Sequence, residues 1–87
     1  NVSKVTYMNY MFYQAESFNQ NIGSWNVSNV IDMNSMFNGA TLFAQDLSSW
    51  NVNSIGDWNS VSGEVFNGSA MSSYTDFSNL WPTKTIE

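Results

Sequence analysis

The stretch GSWNVSNVIDMNS, Gly23–Ser35, returns in worn form as SSWNVNSIGDWNS, Ser48–Ser60. Laid without gaps, residues 26–50 match residues 1–25 at 13 of 25 positions, among them Val2/Val27, Met8/Met33, Phe12/Phe37, Phe18/Phe43 and Trp25/Trp50. A fixed period of this size predicts units that cannot bury an apolar face alone and do so by stacking on a neighbour. A third copy begins at Asn51 and keeps Asp57, Asn59 and Ser60 before it drifts, and Met71–Tyr74 echoes Leu47–Trp50.

Within one unit the apolar spacing changes character. Trp25 and Val27 stand two apart, as do Trp50 and Val52, which places each pair on one side of a short strand. Val30, Met33, Met36, Phe37 and Ala40 then share one face of a short helix, with Ser28 or Asn29 to cap it and Asp32 in its first turn. Gly39 falls where a helix end favours positive φ. The predicted fold class is an α/β solenoid of leucine-rich-repeat geometry with a divergent C-terminal cap. Its short parallel strands span about 24–28 and 49–53, with 1–3 as a further candidate, and its short helices about 5–14 and 30–39. One domain covers 1–87, divided into repeats 1–25 and 26–50, a degenerate repeat 51–75 and a cap region to 87. The paired Trp and Phe residues are expected to form core ladders rather than ligand platforms.

The run from Ile22 to Ala40, followed by LFAQDLSSW at Leu42–Trp50, resembles the bacterial-surface-protein repeats known from mycoplasma lipoproteins, the BspA-like branch of the leucine-rich repeats. The likeness is strong over 1–50 and weak over about 51–75, where Val61-Ser62 replaces Met36-Phe37 and Phe66–Gly68 replaces Phe18–Gln20. It implies a secreted or cell-surface protein whose repeats serve adhesion or protein contacts, without catalytic positions or a cofactor.

Composition points the same way. Seven acidic residues face only Lys4 and Lys84, and the net charge of -5 argues against a phosphate backbone as partner. No apolar run approaches the ~20 residues that span a bilayer, and no basic cluster would hold an anionic surface, so direct membrane insertion is not expected. With no His and no Cys, the usual general base and thiol nucleophile are missing. Asp32, Asp46 and Asp57 form no metal-loop pattern, and surface or turn roles suit them, so neither a catalytic nor a metal site is expected. The sequons at Asn1, Asn26 and Asn67 are no more than so Asn- and Ser-rich a chain yields by chance. Asn9, Asn34 and Asn59 recur as turn residues. A chain starting at Asn1 rather than Met is expected of a processed product or a piece of something longer.

Two candidate surfaces follow. Ser24, Asn26 and Ser28, with Ser49, Asn51 and Asn53 one period later, would line the outward side of the strands as a polar contact face for a protein or glycan at an extracellular or cell surface. The other candidate is the pair of solenoid ends. Val2, Val5, Met8 and Phe12 would lie bare at one end, and Phe77 and Trp81 at the other could receive them, so copies would join head to tail into a filament.

Overall fold

Residues 25 apart do stack, and a chain of turns stacks them. The computed structural model describes residues 2–72 and 77–84. In repeat one the N–H groups of Val5, Met11, Tyr13, Ala15, Phe18 and Trp25 each donate to the carbonyl three residues back. Val30, Met36, Asn38, Ala40, Phe43 and Trp50 do the same one period later. These are successive β-turns, and their i, i+3 spacing is what the apolar periodicity records.

The predicted α/β solenoid is therefore not what the chain forms. Among the described residues there is one α-helix, α1 at Trp58–Phe66, a 3₁₀ turn at Ser78–Leu80, and one isolated parallel bridge between Tyr7 and Asp32. The Cα radius of gyration is 11.7 Å, close to the roughly 12 Å expected of a compact globule of this length.

The helices expected at 5–14 and 30–39 are absent for a backbone reason. Tyr10, Gln14 and Ser35 have φ of 60°, 56° and 58°, and Gly39 has 80°. A left-handed residue every fourth position breaks a right-handed helix at each turn. The amides freed in this way turn to the next repeat: Met8, Tyr10, Phe12 and Gln14 donate to the carbonyls of Asp32, Asn34, Met36 and Asn38 at 2.9, 3.1, 2.9 and 2.6 Å. One bond runs the other way, from Ile31 N–H to Thr6 O at 2.8 Å.

The strands expected at 24–28, 49–53 and 1–3 are replaced by turns of a second kind. The side-chain oxygens of Asn21, Asn26, Asp46 and Asn51 each accept the N–H two residues on, from Gly23, Ser28, Ser48 and Asn53. Such Asx turns compete with extended pairing for the same backbone groups. Along this edge the repeats are joined by side chains instead. Trp50 Nε1 donates to Ile22 O at 3.0 Å, Ser49 Oγ to Gly23 O at 3.1 Å and Ser54 Oγ to Ser28 O at 2.7 Å. At 2–3, Val2 opens the turn closed by Val5, while Asn1 lies outside the described residues.

Aromatic rings run through the stack. Phe12, Phe37 and Phe66 stack at 5.6 Å per step, with ring planes within 12° and 4°, and Phe18 lies 5.6 Å from Phe43. The expected Phe ladders are present. The tryptophans do something else: Trp25 leans on Phe12, and Trp50 on Phe37.

Phe66 stands 29 residues after Phe37 (66 − 37), not 25, and Phe37 N–H donates to Val65 O at 3.0 Å, as Phe12 N–H does to Met36 O. So Phe37-Asn-Gly39-Ala40 corresponds to Phe66-Asn-Gly68-Ser69, and four residues are inserted ahead of it. Helix α1 absorbs them. Trp58, Val65 and Phe66 are buried along one side of it. Gly68 repeats the positive φ of Gly39, at 82°, and a Cβ on it would come 2.9 Å from Gly39 N.

The tail closes over α1. Leu47 N–H donates to Leu80 O, Trp58 Nε1 to Pro82 O and Trp81 Nε1 to Met71 O, each at 2.9 Å, and the Trp81 ring lies 4.7 Å from Phe66. Of the region expected to cap a solenoid, residues 77–84 pack over α1 of this globule, while Tyr74 in the Leu47–Trp50 echo lies outside the described residues.

Candidate functional site

Three surfaces stand out, and two of them carry the residues singled out from the sequence. On the polar face Ser24, Asn26, Ser49, Asn51 and Asn53 are exposed and Ser28 is half-buried. Their hydrogen-bonding capacity is partly spent: Asn26 Oδ1 accepts both the N–H and the Oγ–H of Ser28, at 3.0 and 2.7 Å, and Asn51 Oδ1 accepts Asn53 N–H at 2.9 Å. Ser49 is turned to Gly23 of the preceding repeat. What this face still offers includes the Ser24 hydroxyl and the amide Nδ2 of Asn26 and of Asn51, the two amides one period apart, all without partners among the described residues.

The predicted assembly ends differ from each other. Val2, Val5 and Phe12 are half-buried at the head and Met8 is fully buried there. At the tail, Phe77 is half-buried against the core and Trp81 is 5 % exposed. Trp81 already lies tilted against Phe66 and donates its Nε1–H within the chain, so among the described residues it offers little surface for a second copy.

The third surface lies outside the apolar periodicity of the repeats. Tyr7, Tyr10 and Tyr13 are 64 %, 55 % and 47 % exposed, with Met11 exposed beside them and the rings of Tyr10 and Tyr13 in an edge-to-face pair at 5.3 Å. The ungapped repeat alignment held the signal: these three tyrosines stand where repeat two has Asp32, Ser35 and Asn38. Those three partners stay half-exposed with a repeat on either side, so the positions lie on the rim of the stack. Ile31 and Leu42 add exposed apolar area on repeat two.

The carboxylates serve turns. Asp32 Oδ1 accepts Asn34 N–H, and Asp46 Oδ1 accepts the N–H and Oγ–H of Ser48 at 3.0 and 2.6 Å. The Ser48 hydroxyl first, and its amide second, hold the Asp46 carboxyl below its ordinary value of 3.8. Asp57 starts α1 without a side-chain cap bond. Among the described residues no three metal-ligating side chains come together, and no helix is long and apolar enough to cross a membrane. Of the recurring asparagines, Asn34 accepts Ser35 Oγ at 3.3 Å, whereas Asn9, followed by Tyr10, keeps a buried Oδ1 without a donor. The Asn59 side chain lies outside the described residues.

These features define a small globule of stacked turn repeats with an aromatic rim, a closed tail and an open head. The chain belongs to the family described as "Mycoplasma protein of unknown function, DUF285", whose pattern matches residues 1–85. No curated protein and no solved structure gives a significant match.

Proposed function

We propose that the chain is a non-enzymatic binding module, used for adhesion or protein–protein contact at an extracellular or cell surface. The observation that carries this reading is the tyrosine rim. Three large amphipathic side chains project from a scaffold whose turns are held by their own hydrogen bonds, and Tyr is among the residues that dominate recognition surfaces. Membership in a mycoplasma family and the likeness to BspA-like repeats support the surface setting. The Asn26 and Asn51 amides supply a separate, polar contact face.

The test is a binding screen of the full chain against immobilised extracellular proteins and a glycan array. Tyr7→Asp, Tyr10→Ser and Tyr13→Asn together install the residues of repeat two, so the fold is expected to persist while binding falls by about tenfold or more. Asn26→Lys with Asn51→Lys probes the polar face in the same screen. If both variants bind every hit as the parent does, the reading fails. Head-to-tail filaments are less well supported, because Trp81 is committed to Phe66 and Met71 within the chain.

A further inference from the structure

The two best-matched repeats differ in burial, pair by pair. Val27, Val30, Phe37, Ala40, Phe43 and Trp50 are buried, while Val2, Val5, Phe12, Ala15, Phe18 and Trp25, their equivalents, are only half-buried. Repeat two has a neighbour on each side, and repeat one has one. The polar groups carry the same message. Apart from Ile31 N–H to Thr6 O, the backbone bonds between repeats one and two run from an N–H of repeat one to a carbonyl of repeat two, Asp32 O to Asn38 O accepting at alternate residues. The equivalent carbonyls of repeat one, Tyr7, Asn9, Met11 and Tyr13, accept nothing among the described residues. On the opposite edge Trp50, Ser49 and Gln45 donate back to Ile22 O, Gly23 O and Asn19 O, and their equivalents Trp25, Ser24 and Gln20 have no acceptor among the described residues.

We infer that the head face, at Phe12, Phe18 and Trp25, seats a further 25-residue repeat of this chain's own type, in the register that repeat two takes on repeat one. Such a unit brings a row of N–H donors to the four carbonyls and carbonyl acceptors to Trp25, Ser24 and Gln20. Its rings extend the stacks that now begin at Phe12 and Phe18. A second copy of the chain has no such row to give: its own head presents carbonyls, and its tail is covered by Leu80, Trp81 and Pro82. One side chain resists the seat. A Cβ at Gly39 would lie 2.9 Å from Gln14 Cγ and one at Gly68 2.9 Å from Gly39 N, so the Gln14 Cβ is aimed at the incoming backbone and that backbone must lift locally.

The experiment extends the full chain at its start by a copy of residues 1–25, or of 26–50, and compares both with a leader of scrambled sequence. Indole N–H exchange by NMR reads the outcome. Trp25 should slow by about tenfold or more in both extended chains while the Trp of the leader exchanges freely as the new open end, and the scrambled leader should change neither. Gln14→Gly should slow Trp25 further in the extended chains. If neither leader protects Trp25, or the scrambled one protects it equally, the inference is overturned. It is overturned as well if Trp25 becomes protected in the parent chain as its concentration rises, since a second copy would then hold the face. Replacing the three rim tyrosines leaves this result unchanged, so it stands apart from the binding screen.

Discussion

Repeat two and repeat three bring a phenylalanine to the same place by different local structures. In repeat two a run of β-turns from Met33 to Ala40 carries Phe37, and in repeat three the nine-residue helix α1 carries Phe66. Both arrive in the same stack at 5.6 Å, and both are followed by Asn-Gly with φ near 80°. What the fold conserves is thus the end of the path: a buried ring, a bond from the repeat before, and a left-handed residue two positions on. The route is free to lengthen by a helical turn, because a helix satisfies its own amides and asks nothing of the neighbouring repeat.

The strongest way to break this equivalence is at the rings. Phe66→Ala should cost about 3–5 kcal/mol in urea unfolding, as Phe37→Ala should, since both are fully buried. A cost below about 1 kcal/mol for Phe66 alone would mean that the helix merely lies over repeat two. Next come the glycines, where the sign of the effect separates turn from helix. Gly39→Ala and Gly68→Ala should each destabilise by about 1–3 kcal/mol, because positive φ and a Cβ contact of 2.9 Å act together. Gly63→Ala, inside α1 with nothing within 4 Å of the new Cβ, should stabilise by about 0.5–1 kcal/mol.

The smallest effect concerns the Asx turn that leads into Trp50. The Asp46 carboxyl titrates below 3.8 in the folded chain, so the unfolded chain binds the proton first. Its contribution is complete above that value and fades as pH falls through the lower, folded one. Asn21 already fills this position in repeat one, and Asp46→Asn should keep the turn while removing the titration. The urea midpoints of parent and variant should converge as pH drops below about 4 and stay parallel above it.

The repeat period, the Phe ladders, the positive φ of Gly39 and the turn role of Asn34 were legible in the residues. The local structure is not legible from the spacing, because two geometries share it. Apolar residues three apart mark a helix face, but they also mark the ends of β-turns, and the positive φ of Tyr10, Gln14 and Ser35, non-glycine residues, separates the two. A better signal was present: Asn21, Asn26, Asp32, Asp46 and Asn51 are each followed two residues on by Gly, Ser or Asn, the pattern of Asx turns. The third repeat is obscured by alignment without gaps, which sets Ser62 against Phe37 when the ring that stacks on Phe37 is Phe66. The tyrosine rim was equally open to reading, since it stands on three polar positions of repeat two.

The backbone bonds of the turn edge have a consequence for the field around the molecule. Four peptide groups of repeat one point their N–H ends toward repeat two, against one that points back, so their dipoles, each about 3.5 D, add rather than cancel. The head face becomes the negative pole of a short electrical column on a chain whose net charge is already -5. Two heads therefore repel across dilute buffer, and salt that shortens the Debye length to ~10 Å at 0.1 M relaxes the repulsion.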